Sequence, residues 1–197
     1  MFTKNILFSI LLMGLSNAAV TPGRTAVAKL QGEVSGIVGF SEIIDTDGEP
    51  AFFVGVDLSR PNENRTPLFV TVDLKGLAPD TEYAYSINTG TVSGDNCSNT
   101  GQVFDPLQRV TDIKTYNCDK FHVFETCALG DLSLINRQAT GGGNLGTFSD
   151  TFVVNYLSFD APGGRNIIGR NIAIAFSNGT IVSCGNIALS QQENTPK

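Results

Sequence analysis

Short runs of β-branched and aromatic residues alternate with polar ones along this chain, and nowhere do apolar residues recur at helical spacing over three turns. Leu68 to Leu74 is the clearest run. Phe69, Thr71 and Asp73 fall on one face, and Val70, Val72 and Leu74 fall on the other. The same reading predicts strands at 25–30, 34–43, 51–58, 68–74, 82–87, 152–159, 171–176 and 181–189. Gln31-Gly32-Glu33 forms a hairpin-like break between the first two. Strands punctuated by turns, with no helix to cover them, predict an antiparallel sandwich or barrel. The segments 53–58 and 69–74 share a pattern and are read as two strands with similar sheet faces. Between them, Arg60 to Pro67 is an exposed polar loop. Residues 88–131 are long and poor in strand pattern, which in a compact domain marks a loop that is functional or covalently held. Gly141-Gly142-Gly143 marks a further flexible turn.

A chain of 197 residues suits one domain and one core. Its start, however, reads as a leader. Lys4 precedes the apolar run Ile6 to Met13, and small residues follow at Ser16, Asn17, Ala18 and Ala19. This pattern predicts a secretory signal peptide over 1–18, cut after Ala18. The apolar run is shorter than a bilayer of ~30 Å requires. Residues 19–190 are then the domain and 191–197 a polar tail without an anchor signal. Losing Lys4 moves the formal charge from −6 to −7. Such a charge excludes a general nucleic-acid binder, which needs a basic face.

Four cysteines, Cys97, Cys118, Cys127 and Cys184, in a secreted chain predict two disulfides with three possible connectivities. Asn64, Asn96 and Asn178 each open an Asn-x-Ser/Thr pattern, and Asn178 is the best glycosylation candidate. Pro67 weakens the first site and Cys97 the second. The expected location is therefore secreted or cell-surface, with an extracellular partner whose identity is open, as is the oligomeric state. The histidine count is 1, which excludes any site built on a cluster of imidazoles.

Several motifs together resemble one family. Val72 to Asp80 is similar to the strand and turn before the first metal-binding strand of copper/zinc superoxide dismutases. Asn96-Cys97-Ser98 and Phe104-Asp105-Pro106 resemble its loop cysteine and its Phe-Asn-Pro element. Gly130-Asp131-Leu132 resembles its Gly-Asp-Leu, and Ile167 to Ile174 the strand carrying its last copper histidine. Asn178 to Ile187 is similar to the ending of secreted fungal members, including the copper-only branch. Order and spacing hold over residues 25–190. The resemblance implies an all-β, eight-stranded Greek-key barrel or flattened sandwich with long disulfide-braced loops. It also implies a Cys97–Cys184 bridge, which leaves Cys118 with Cys127, a pair the family pattern lacks.

The resemblance fails at the metal site. Counting back from Cys97 without gaps, the family's His-x-His positions fall on Tyr85 and Ile87. Its other histidine positions fall on Val103, Ala128 and Ala175, and its guiding arginine on Ile181. Asp131 alone keeps the family's residue. Copper in such sites needs three or four imidazole nitrogens, and zinc about four N, S or carboxylate donors. No cofactor is therefore expected, and no catalytic residue.

A different site is the alternative. Cys118, His122, Cys127 and Asp131, with Asp119 and Glu125 nearby, have the donor types of a zinc set. Against it stands a disulfide with an exposed histidine beside it, the preferred reading in an oxidising compartment. A His122 triad lacks a serine in a nucleophile turn. Asp131 reads as a loop-bracing carboxylate, and Tyr83 and Tyr85 as packing or binding tyrosines. The sequence thus predicts a non-catalytic extracellular protein built on a dismutase-like barrel. A superoxide dismutase or other metalloenzyme with a non-standard site is the runner-up.

Overall fold

The computed structural model describes residues 21–44, 66–94, 96–112, 114–141, 146–160 and 164–190. The expected leader, the polar tail, the strand at 51–58 and Asn64 lie outside these residues. Eight strands run in chain order: β1 (Thr21–Gly32), β2 (Ser35–Ile44), β3 (Leu68–Lys75), β4 (Glu82–Asn88), β5 (Ala139–Thr140), β6 (Thr147–Val154), β7 (Asn171–Phe176) and β8 (Ile181–Leu189). Two one-turn helices, α1 (Val123–Thr126) and α2 (Leu132–Ile135), lie between β4 and β5. No helix among the described residues is long and apolar enough to cross a membrane.

The strands form one antiparallel sheet in the order β5-β4-β7-β8-β1-β2-β3-β6. Its two ends meet where β5 touches β6, so the sheet closes into a near-complete barrel. β3 and β4 are consecutive yet lie apart in the sheet, as are β6 and β7. These crossings give the Greek-key path that the resemblance implied.

Alternation builds the core. In β3 Leu68, Val70, Val72 and Leu74 point inward, fully buried, while Phe69, Thr71, Asp73 and Lys75 point outward. Ala28, Val38, Phe40, Tyr85, Ile87, Ile172 and Ile174 complete the interior. Each large buried side chain contributes roughly 1.5–3 kcal/mol over exposure. Close strand packing explains Gly36 on β2. It has φ +152°, and a Cβ there would lie 2.0 Å from the Asp73 carbonyl oxygen of β3. Arg24 of β1 pins a later loop by donating to both Glu42 and Asp160 while stacking on Phe159.

Two local expectations shift. The strand predicted at 152–159 runs instead over Thr147–Val154. Thr147, Ser149 and Thr151 face water there, and after Val154 the chain leaves the sheet. β5 is two residues long and pairs only Glu82 and Tyr83. Neither it nor the one-turn helices is long enough to leave a periodic signal in sequence.

Candidate functional site

Residues paired across antiparallel strands share a face, so register assigns every side chain of the β4–β7–β8 region. Ala84 pairs with Ala175, Ser86 with Ala173 and Asn88 with Asn171. Ala173 in turn pairs with Cys184, and Asn171 with Asn186. Val103 joins this face through its bridge to Asn88. The opposite face carries Tyr83, Tyr85, Ile87, Ile172 and Ile174, all in the core.

The segment between β4 and Val103 lies across the outer face and is fixed there by three devices. The first is the Cys97–Cys184 disulfide. The second is Asn171, fully buried, whose Nδ2 donates to the carbonyls of Gly90 (2.9 Å), Thr100 (2.9 Å) and Asn88 (3.4 Å). The third is Asn186, whose Oδ1 accepts the Val92 N–H (2.9 Å) while its Nδ2 donates to the Val92 carbonyl (2.7 Å). The amide nitrogens of this face therefore hold backbone, Ser86 donates to Asn88 Oδ1, and Asn171 Oδ1 is buried without a hydrogen-bond partner. Sequence reasoning missed both asparagines. Their signal was a polar amide in two strands rich in Ile and Ala.

The free edge of β4 collects the two loop motifs. Ile87 N–H donates to the Gly130 carbonyl (2.8 Å), Phe104 N–H to the Ile87 carbonyl (2.8 Å), and Gly130 N–H to the Phe104 carbonyl (2.7 Å). A Cβ on Gly130 would lie 2.4 Å from the Ile87 carbonyl oxygen, so this rung requires glycine. Gly-Asp-Leu and Phe-Asp-Pro thus meet on one strand edge although 26 residues separate Phe104 from Gly130.

Asp131 follows immediately and caps α2. Its Oδ1 accepts from Leu134 N–H (3.2 Å) and from the Ser133 hydroxyl (3.3 Å), and its Oδ2 from the Tyr116 hydroxyl (3.4 Å). It is the brace the sequence suggested. Burial raises its carboxyl above the usual range. The Tyr116 hydroxyl also accepts the Ala128 N–H (3.0 Å), and burial pushes this phenol up to about 12. Tyr85 is likewise pushed up to about 12 by burial, with Asn136 donating to its hydroxyl (3.4 Å). Tyr156 packs edge-on to Phe124, and its hydroxyl is buried without a hydrogen-bond partner.

The six positions matched to metal ligands are not brought together. Tyr85 and Ile87 point into the core, while Ala175 stands on the other face of the sheet. Val103 and Asp131 sit by the β4 edge, and Ala128 is fully buried in the loop before α2. On β4, Ala84 and Ser86 share Ala175's face with Asn88, one position earlier than the ungapped count placed the pair.

The alternative set lies elsewhere. Cys118 is joined to Cys127, so neither sulfur is a thiolate here. His122, exposed, places Nδ1 2.7 Å from Asp119 Oδ2, and this carboxylate raises the imidazole above its ordinary value. Among the described residues no group of three or more His, Cys, Asp or Glu is placed to hold a metal ion. Asn96 and Asn178 are exposed, the latter in the turn between β7 and β8.

No protein-family model matches the chain, and no curated protein does. Solved structures do. The copper(II) form of Candida albicans superoxide dismutase 5 is similar over 88% of this chain and 98% of its own, with TM-score 0.62 and 22% identity. A single-substitution variant of that protein matches with TM-score 0.63 and 24% identity, over 91% of this chain and 98% of its own. This chain has the superoxide dismutase fold. The Cys97–Cys184 and Cys118–Cys127 bridges follow the pairing that the resemblance implied.

A superoxide dismutase fold raises the question of copper, and the donors present do not fit it. The β4–β7 outer face offers methyl groups at Ala84, Ala173 and Ala175, a hydroxyl at Ser86 that donates to Asn88 (2.7 Å), amide nitrogens engaged with backbone carbonyls, and one unpartnered amide oxygen at Asn171. Imidazoles are what such an ion requires. The chain's one histidine is an exposed loop residue bound to Asp119.

Proposed function

We propose that the chain is a secreted or cell-surface protein that keeps the dismutase barrel without its metal chemistry and acts by binding or as a structural extracellular component. One observation carries this reading. The outer face of β4 and β7 bears alanines, a serine and asparagines but no imidazole, and no second imidazole exists anywhere in the chain to supplement it. Fold and function separate in this way because function resides in a site carried by the scaffold. Two disulfides and exposed asparagines at 96 and 178 support an oxidising, glycosylating route.

The test uses natively secreted protein. It is loaded with copper and zinc, dialysed, and measured for metal content and superoxide consumption. We expect a mature N-terminus at Ala19, no stoichiometric metal and no consumption above buffer. One copper per chain with turnover of superoxide overturns the reading. One zinc per chain with Cys118 and Cys127 free, seen by non-reducing peptide mass spectrometry, overturns it in favour of a metalloprotein built around His122.

A further inference from the structure

Phe121 differs from the other apolar residues of the surface. It is 82% exposed, whereas every other exposed large hydrophobic among the described residues is at most 46% exposed. Partly covered surface apolar residues are ordinary, but a phenyl ring held almost wholly in water gains nothing from burial. Its loop nevertheless fixes it in place. The Cys118–Cys127 bridge closes the loop. Inside it, Asp119 Oδ1 accepts the Phe121 N–H (2.9 Å), and the Asp119 carbonyl accepts the His122 N–H (2.8 Å). The Thr126 hydroxyl accepts the Asp119 N–H (2.9 Å) and donates to the His122 carbonyl (2.8 Å). A ring presented in this way needs little further ordering when a ligand arrives.

The surroundings of the ring indicate what it fits. Lys120 places Nζ 5.5 Å from the ring centroid. With the ring still 82% exposed, the face opposite Lys120 is open to solvent. His122 commits Nδ1 to Asp119 (2.7 Å), and Nε2 is the remaining polar atom of a side chain 67% exposed. Two hydrogen-bonding groups thus flank one open aromatic face. Within the closed loop Lys120 and His122 are balanced by Asp119 and Glu125. A polyanion or an anionic lipid surface calls for a net basic patch, which this loop lacks. Membrane insertion calls for more apolar area than one ring supplies. The negative face of an aromatic ring does attract polarised C–H groups, and the flat side of a pyranose carries several. A β-linked glucose unit fits best, because its hydroxyls are all equatorial and both of its faces show only axial C–H.

We propose that the Cys118–Cys127 loop binds a neutral β-linked gluco-oligosaccharide. Phe121 stacks on the C–H face of one glucose unit, and Lys120 Nζ and His122 Nε2 hydrogen-bond its equatorial hydroxyls. The contact is one sugar on one ring, so a single site binds weakly and relies on little ordering cost. This goes beyond the binding reading above by naming a ligand class, and it does not depend on the metal result.

Saturation-transfer NMR with cellohexaose and the secreted full-length chain tests this, independently of the metal assay. We expect the strongest transfer at the axial ring protons of the sugar. We also expect a saturable shift of the His122 ring resonances, the only histidine signals in the chain. Phe121→Ala should weaken binding about tenfold or more, and Phe121→Trp should keep it within about threefold of wild type or strengthen it. His122→Ala should weaken it about threefold, through loss of one hydrogen bond. Both positions are exposed, and near-ultraviolet circular dichroism checks that each variant stays folded. A wild type without saturable binding overturns the proposal. So does a Phe121→Ala variant that binds as wild type does, or a chain that binds phosphatidylserine vesicles through Phe121 and leaves the hexasaccharide free.

Discussion

His122 is the only imidazole in the chain, so its titration can be read without assignment. Its hydrogen bond to Asp119 raises it, and the same bond lowers the carboxyl of Asp119. The histidine resonance should therefore titrate above the ordinary ~6.5, and Asp119→Asn should bring it back. An unshifted midpoint in wild type would remove the pair. The sign for stability follows from linkage. A raised histidine adds stability that is complete below its unfolded value and is lost as pH rises through its folded one. A lowered aspartate adds stability above its unfolded value, lost as pH falls through the folded one. The pair therefore steadies the 118–127 loop most in the mildly acidic window between. Tyr156 is the opposite case, a buried hydroxyl that gains nothing. Tyr156→Phe should be neutral or should stabilise by up to about 1 kcal/mol in urea unfolding, because it removes a desolvated group with no bond to lose. A loss of more than about 1 kcal/mol would mean that the hydroxyl has a partner. At this scale the sequence was partly legible. Asp131 as a brace was readable because a carboxylate in a loop takes up backbone N–H groups nearby, although the short helix it caps was not. The face of Tyr85 was not, because one inserted residue in a loop inverts every assignment on the strand before it.

Elements were legible where alternation is long and illegible where pairing is brief. β3, β7 and β8 announce themselves by β-branched periodicity, whereas β5 and α1 are too short to carry a period. The boundaries of β6 moved because polar outward residues at its start look like a loop when burial is unknown. The loops obey covalent closure more than propensity. Opening the Cys118–Cys127 bridge by replacing both cysteines with serine should cost about 2–3 kcal/mol from its short loop. Opening Cys97–Cys184 should cost roughly 4–5 kcal/mol, since 87 residues separate its ends. Calorimetry or denaturant unfolding of the two double variants gives the order. A cost near zero for the short bridge would argue that α1 and the Asp119–Thr126 hydrogen bonds, not the disulfide, hold that loop.

For the molecule as a whole, the barrel needs its inner face and not its outer one. The core groups point inward, and the outer face of β4–β7 contributes alanines, a serine and loop-anchoring asparagines beneath a tethered loop. That division permits the fold to persist with different chemistry on top, and it makes the register experimentally decisive. Histidines introduced together by Ala84→His, Ser86→His and Ala175→His should leave the barrel folded. They should also create copper affinity above that of wild type, since three imidazoles then project from adjacent positions on one face. The paired replacement Tyr85→His and Ile87→His places polar rings in the core instead. It should destabilise by at least about 3 kcal/mol, through lost packing and unsatisfied nitrogens. Copper titration monitored by absorbance, with thermal unfolding of both variants, separates the faces. If the Tyr85 and Ile87 variant folds normally and binds copper while the outward triple variant does not, the sheet register described for β4 is off by one and the outer-face account of this protein fails with it.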